Sequence, residues 1–459
     1  MQNVIYSIIW FFSWVILVPI FKIFVKFEAI GRENLKEIKK GPAIFISNHE
    51  SYFDPWIIGM GLPLSRFNLY PVYYMASDKL FKKRLLSLFL WLNGTFPGKV
   101  GSGVDKALEQ PSRFLKEKKS VAIFPEWCYK TEPEISRMQN IISLLSIKKN
   151  VPIIPVFIYG IFDGGISWKK VFSRGRSIKI VFGKPVYPQA NISTEEFQKL
   201  FNKSHIGTRI ALIKSFHEEE KKFWGHYAKF YHYLERAEPY GDLMKEFNNN
   251  LPKIIKGNWL DLGSGSGAIV EILSKKADNS KSEYEITATD IEKKMINYLT
   301  NRFKSNKNIK IKELDLAKSF NFPKNNFDGI TASLVLSYLI HHEGEIGKKG
   351  FIKVLSSIFE ILKPGGVFVW STPKKNVSFL RVFLASWKNI LDYKNFENIY
   401  YGPTIFKQAL QIQNKGKREI YHFLDTKETE KILKDIGFFN ISFSRSMAGQ
   451  VDIIRCEKP

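Results

Sequence analysis

His49 and Asp54 lie five residues apart in the segment Ile46-Ser-Asn-His-Glu-Ser-Tyr-Phe-Asp-Pro55. An imidazole beside a carboxylate can take a proton, because the carboxylate fixes the ring tautomer and stabilises the imidazolium. Five positions along an α-helix turn two side chains apart, so one helical face cannot pair them. A strand-to-helix loop can, and Asp54-Pro55 reads as a helix N-cap followed by proline at the first helical position. A second group stands at Trp259-Leu-Asp-Leu-Gly-Ser-Gly-Ser-Gly-Ala268, where Asp261 precedes Gly263, Ser264, Gly265 and Gly267. Glycines at such a turn let the backbone approach a ligand, and the helix that follows offers N–H groups to an anion. Gly263-x-Gly265-x-x-Ala268 also fits a dinucleotide fingerprint.

The elements that must carry these groups alternate between short apolar runs and helical patterns, which is the mark of α/β layering. Strands are expected at Ala43–Ser47, Tyr73–Ala76, Val121–Phe124, Ile153–Phe157 and Ile178–Phe182. Residues 193–236 read as charged helix, with the cluster Glu218–Lys222 marking a boundary near residue 218. A second alternation predicts strands at 258–261, 285–289, 309–312, 327–332 and 366–371, closed by a hairpin at 439–457. There is no internal repeat. The expected organisation is a membrane anchor over 1–27, one α/β domain over 28–218 and a Rossmann-like domain over 219–459.

The anchor rests on residues 1–21, which carry no charged side chain and include Ile8, Trp10, Phe11, Phe12, Trp14 and Leu17. About 20 helical residues match a hydrocarbon core of roughly 30 Å. No basic stretch precedes the run and no small-residue cleavage pattern follows it, so it does not read as a signal peptide. Lys22, Lys26 and Arg32 come next, and positive-inside bias places the catalytic domains on the cytoplasmic face. Trp10, Trp14 and Pro19 also suit a half-inserted or interfacial segment.

Net charge is +25 over 459 residues, with +16 on residues 1–230 and +9 on the remainder. A surface this basic attracts polyanions, either nucleic acid or an anionic membrane. No arginine-rich arm, zinc-finger spacing or aromatic-basic strand signature accompanies it, so no nucleic-acid partner is expected. Two cysteines, Cys128 and Cys456, exclude a disulfide framework and a four-cysteine zinc site. No metal site is read.

Asn48-His49-x4-Asp54, Phe96-Pro-Gly-Lys99, Phe124-Pro-Glu126 and Val151-Pro-Ile-Ile-Pro-Val156 appear in that order. Together they resemble the glycerolipid acyltransferase family, which makes phosphatidic acid from lysophosphatidic acid, over roughly residues 28–215. The resemblance implies that His49 is the general base and Asp54 its orienting partner. It also implies that Lys99 and Glu126 bind the acyl acceptor, and that acyl-CoA or acyl-carrier protein is the donor. Two positions depart from the family pattern. Lys99 stands where an Arg is usual, and a lysine holds phosphate as a point charge without the bidentate fork. Trp127-Cys-Tyr129 stands where Gly-Thr-Arg is usual.

Asp261 at a strand end, Asp290 in Ala288-Thr-Asp-Ile291 and Leu362-Lys-Pro-Gly-Gly366 separate the second half from dinucleotide enzymes. This set resembles class I S-adenosylmethionine-dependent methyltransferases over roughly residues 222–459. By resemblance, the loop Gly263–Gly267 with Asp261 takes the methionine end of the cofactor. Asp290 with Ile291 takes the ribose, and Asp315 with Leu316 flanks the adenine. The methyl acceptor is not readable. Tyr338, His341 and His342 follow the fourth strand, and the His pair is expected to be an exposed helix start. Residues 376–425 read as a substrate lid or a solvated loop and helix. The expected whole is a bifunctional enzyme acting on a membrane lipid or amphiphile, with tailoring of a polyene or resorcinol-type pigment as the alternative. A further alternative is a methyltransferase on a non-catalytic acyltransferase-like membrane module.

Overall fold

The computed structural model describes the chain apart from residues 1–7, 9, 10, 13, 14, 17, 20, 40, 50, 52, 64, 83, 99–103, 126–131, 161–175, 228–234, 236 and 387–395. It divides into two compact units, Met1–Ser215 and Phe216–Pro459.

The first unit is built on seven strands: β1 (Val25–Ile30), β2 (Ile44–Ser47), β3 (Val72–Ser77), β4 (Thr95–Gly98), β5 (Ser120–Ile123), β6 (Ile153–Tyr159) and β7 (Arg176–Phe182). They lie in the order β1-β7-β6-β2-β5-β3-β4, parallel throughout except between β6 and β7. The central strands β2 and β5 are buried on both faces, as parallel strands covered by helices must be. One face packs Phe45, Val156 and Phe182 on Ile57 and Ile58 of helix α1 (Asp54–Gly61). The other packs Ile44, Ile46, Val121 and Ile153 on helices α3 (Val104–Lys116), α4 (Glu132–Lys149) and α5 (Thr194–Tyr227). Helix α2 (Arg84–Leu92) precedes β4.

Two strands here were not expected. β4 contains Pro97 and Gly98, which read as a turn, and it survives because it is the sheet's edge, where a missing donor costs least. β1 begins inside the run expected as an anchor. Val18, Phe21 and Val25 lie in the core of this unit, so the anchor over 1–27 is corrected in its last third. Among the described residues no helix is long and apolar enough to cross a membrane.

The second unit holds β8 (Gly257–Asp261), β9 (Tyr284–Asp290), β10 (Ile309–Glu313), β11 (Phe327–Ser333), β14 (Leu362–Pro373), β15 (Phe439–Ser446) and β16 (Val451–Glu457), in the order β10-β9-β8-β11-β14-β16-β15. The last two pairings are antiparallel. Helices α6 (Glu238–Asn250), α7 (Ala268–Asn279), α8 (Lys293–Arg302), α9 (Gly347–Ile361) and α12 (Thr426–Ile436) complete the layers. The strand order reverses between β8 and β11, and open α/β sheets bind ligands outside the carboxyl ends of strands at such a point. β8 and β11 approach closely because Gly329 faces the Trp259 ring, 2.4 Å from where a Cβ would stand.

Two expectations are corrected in this unit. His341 and His342 do not start a helix: they form strand β12, paired with β13 (Glu345–Ile346). His342 is wholly buried, donating from Nδ1 to the Leu316 carbonyl and accepting at Nε2 from the Ser357 hydroxyl. The 376–425 stretch holds helices α10 (Phe379–Ala385) and α11 (Phe396–Lys417), joined by the Phe383–Phe406 contact, and α11 buries Gln408 and Ile412 rather than standing in solvent.

Candidate functional sites

The loop after β2 brings His49 and Asp54 together, with His49 Nδ1 2.7 Å from Asp54 Oδ2. Asp54 is the first residue of α1, and Phe53 occupies the cap, so the N-cap expectation is corrected by one residue. Its carboxylate reaches backward, accepting from the Ser51 backbone N–H at 2.9 Å and the Ser51 hydroxyl at 3.3 Å. These bonds tie the start of α1 back to the loop three residues earlier. Asp54 is fully buried and His49 nearly so, which keeps the pair in a medium where charge interactions are strong. With Nδ1 engaged by the carboxylate, the proton-accepting role falls to Nε2. Asn48 fixes the loop by a reciprocal pair of bonds, from its Nδ2 to the Ile158 carbonyl (2.9 Å) and from the Ile158 N–H to its Oδ1 (2.7 Å). Phe124, the residue after the adjacent strand β5, lies against the His49 ring at 4.6 Å. Lys99 and Glu126, and with them Trp127, Cys128 and Tyr129, fall outside the described residues.

In the second unit, the turn after β8 places Asp261 and the glycines at the point of strand reversal. Gly263 has φ +65°, and a Cβ there would lie 2.6 Å from Val335 Cγ2, so only glycine fits. Ser264 stitches β8 to β9, donating from its N–H to the Thr289 carbonyl and from its hydroxyl to the Asp261 carbonyl. Gly265 donates its N–H to Asp290 Oδ2 at 3.0 Å, while Asp290 Oδ1 accepts from the Glu292 N–H. Burial raises the Asp290 pKa against the pull of these bonds. Gly267 caps α7 in the left-handed conformation. Ile291 is exposed beside Asp290, Asp315 accepts from the Ala317 N–H, and Leu316 packs into the core.

The chain matches the acyltransferase family model over residues 26–159 and a methyltransferase-domain model over residues 260–370. The chain is an acyltransferase domain joined to a class I S-adenosylmethionine-dependent methyltransferase domain. The ubiquinone/menaquinone biosynthesis C-methyltransferase UbiE of Rickettsia felis is 27% identical over 228 residues, which is 45% of this chain and 78% of that protein. UbiE of Wigglesworthia glossinidia brevipalpis is 30% identical over 211 residues, 43% of this chain and 73% of that protein. A solved S-adenosylmethionine-dependent methyltransferase from Aquifex aeolicus aligns at 19% identity and a TM-score of 0.31, covering 49% of this chain and 90% of that one.

The methyltransferase domain's own residues fit its cofactor. Asp261 accepts from the Thr331 hydroxyl at Oδ1 (2.6 Å), bridging the strands on either side of the reversal. Its Oδ2 is buried and, among the described residues, accepts no hydrogen bond, so it suits a cation, and the cofactor carries an ammonium. Burial pushes the Asp261 carboxyl up to about 6, partly offset by the Thr331 bond. Thr331 escaped sequence reading because its value lies in register with β8, which side-chain type does not reveal. Near the fourth strand, His341 keeps a buried Nδ1 that has no hydrogen bond among the described residues, and burial chiefly lowers its pKa. Tyr338 follows β11 and contacts Trp224 and Tyr421. Glu220 gathers that aromatic group, accepting from Lys415 (2.5 Å), the Tyr421 hydroxyl (2.6 Å) and Trp224 Nε1 (3.0 Å).

Proposed function

We propose that this chain is a bifunctional lipid-modifying enzyme that works at a membrane surface. The observation that carries the acyl-transfer half is the 2.7 Å contact between His49 and Asp54. His49 Nε2 takes the proton of an acceptor hydroxyl as its oxygen attacks the carbonyl of a thioester, from acyl-CoA or acyl-carrier protein. The carbon–sulfur bond then breaks, and the imidazolium returns the proton to the departing thiolate. Asp54 holds the ring and its positive charge during the step. The acceptor is a hydroxyl of a lipid or amphiphile.

Bound S-adenosylmethionine supplies an electrophilic methyl group on a sulfonium. Asp261, the loop Gly263–Gly267 and Asp290 position it, and the acceptor is the same molecule that receives the acyl group, or a related one. Positioning and a dry site can supply much of the acceleration in such a displacement.

Membrane attachment is supported by the charge and by the entry of the chain. Phe11, Phe12, Val15, Ile16, Ile23 and Phe24 are exposed apolar side chains directly before β1. Strand register puts that end of β1 on the dyad's side of the sheet: Ser47 pairs with Val156, Val156 with Phe182, and Val25 with Arg176 farther along β7. An apolar segment there suits delivery of a lipid to His49.

A second reading, tailoring of a polyene or resorcinol-type membrane pigment, draws support from relatives named for C-methylation in ubiquinone and menaquinone biosynthesis. Mass spectrometry of lipids from cells carrying the wild type, His49→Ala or Asp290→Ala tests both. A species lost in the first variant, and lighter by one methyl group in the second, names the product. An altered phospholipid profile counts against the pigment, and unchanged lipids in both variants refute the proposal.

A further inference from the structure

At the far end of α1, away from the dyad, lies a cleft of about 540 Å³ lined by Arg32, Glu33, Lys36, Pro63, Ser65 and Arg66. Its volume is that of a small-ligand site. The cations come from two elements, the 3₁₀ turn Arg32–Glu37 after β1 and the loop after α1. Arg32 is fixed there, donating from Nε to the Gly61 carbonyl at 2.7 Å and from Nη2 to the Met60 carbonyl at 3.4 Å. Its head thereby covers the carbonyl end of α1 and cancels the partial negative charge that would otherwise repel an anion. Burial lowers the pKa of Arg32, yet a guanidinium stays charged in a protein. Among the described residues, Lys36 and Arg66 form no ion pair, and Glu33 is the single carboxylate of the lining. Three cations and one anion thus converge on a concave surface and leave it with an excess of positive charge.

We propose that this cleft binds the phosphate ester of a phosphorylated ligand. A guanidinium fork with a nearby ammonium is the donor set that phosphate oxygens take. Asp54 and Gly61 are the first and last of the eight residues of α1, about 10 Å apart along the axis. A thioester at His49 carried on a phosphorylated arm extends its phosphates over such a span, and the headgroup of an anionic lipid offers the same chemistry. The site does not depend on His49 being the base, and His49→Ala leaves it intact.

The full chain is titrated with coenzyme A by calorimetry. It is also sedimented with phosphatidylcholine vesicles, with and without phosphatidylglycerol. Lys36→Glu with Arg66→Glu is compared with the neutral pair Lys36→Gln with Arg66→Gln, and with Lys148→Glu with Lys149→Glu on α4 as a control of equal charge change. Arg32 is left alone because it covers the end of α1. Both cleft pairs are expected to weaken one probe at least tenfold while the control pair does not. Loss of coenzyme A binding identifies the arm, and loss of phosphatidylglycerol-dependent sedimentation identifies the headgroup. Should melting curves show the charge-reversed pair unfolded, the neutral pair decides. The proposal falls if the wild type binds neither probe, if neither cleft pair changes binding by more than twofold, or if the control loses as much.

Discussion

The pairing of His49 with Asp54 was legible because both side chains carry chemistry that few other residues supply. Ser51 and Asn48 were less so, since their contribution is to backbone geometry: Ser51 through the N–H that Asp54 accepts, Asn48 through its bonds to Ile158. Replacing His49 with Ala should lower acyl transfer by about 10²–10⁴ with little change in melting temperature. Asp54→Asn should lower it comparably, because an amide can hold the wrong tautomer. Ser51→Ala keeps that N–H and removes the hydroxyl that donates to Asp54 and accepts from the Phe53 N–H, so it should cost about 1 kcal/mol of stability and a smaller share of rate, read by melting curves beside steady-state assays. Asp261 gives a test with a sign. Its folded pKa, about 6, stands above the ordinary carboxylate value, so the fold holds this proton more tightly than the unfolded chain does. Stability is therefore lost as pH rises through the interval from about 4 to 6, and the deficit persists above it. Asp261→Asn should melt higher than wild type at pH 7.5, by an amount equivalent to about 3 kcal/mol, and the advantage should vanish near pH 4. The same variant should bind S-adenosylmethionine more weakly. A constant difference across pH would refute the account.

At the scale of elements, apolar runs of five or so residues between turn signals located the central strands of both sheets. The misses have separate physical causes. β1 was hidden because it follows closely on an apolar run and itself carries Lys26 and Glu28, so hydropathy alone does not separate the strand from the segment before it. β4 was hidden by Pro97 and Gly98, which an edge position tolerates. β12 was read as a helix start, because two adjacent histidines carry no period and the partner of His342, the Leu316 carbonyl, is distant in sequence. The β8–β11 contact offers an element-scale prediction. Gly329→Ala would push a methyl group into the Trp259 ring, and overpacking of this kind costs about 1–3 kcal/mol. A lower melting temperature is expected, with weaker cofactor binding because Asp261 and Thr331 sit at the end of the same pair of strands. Unchanged melting would show that the ring moves aside.

For the whole molecule, two domains with separate chemistry predict separable losses. His49→Ala should leave methyl transfer within about twofold of wild type, and Asp290→Ala should leave acyl transfer likewise, since each site is built within its own compact unit and independent sites behave additively. Coupled losses in assays of each activity would contradict that. The net charge of +25 gives a second expectation: sedimentation with anionic vesicles should weaken as salt shortens the screening length from about 10 Å at 0.1 M to about 3 Å at 1 M. Binding that survives high salt would assign attachment to the exposed apolar residues before β1. The buried oxygen of Asp261, unpartnered among the described residues, also bears on the lifetime of the chain in a cell. A fold that is strained when empty and relieved when filled exposes itself to proteases most often when its methyl donor runs short. Enzyme abundance should then follow the supply of that metabolite. A pulse-chase under methionine limitation should show faster turnover of the wild type than of Asp261→Asn.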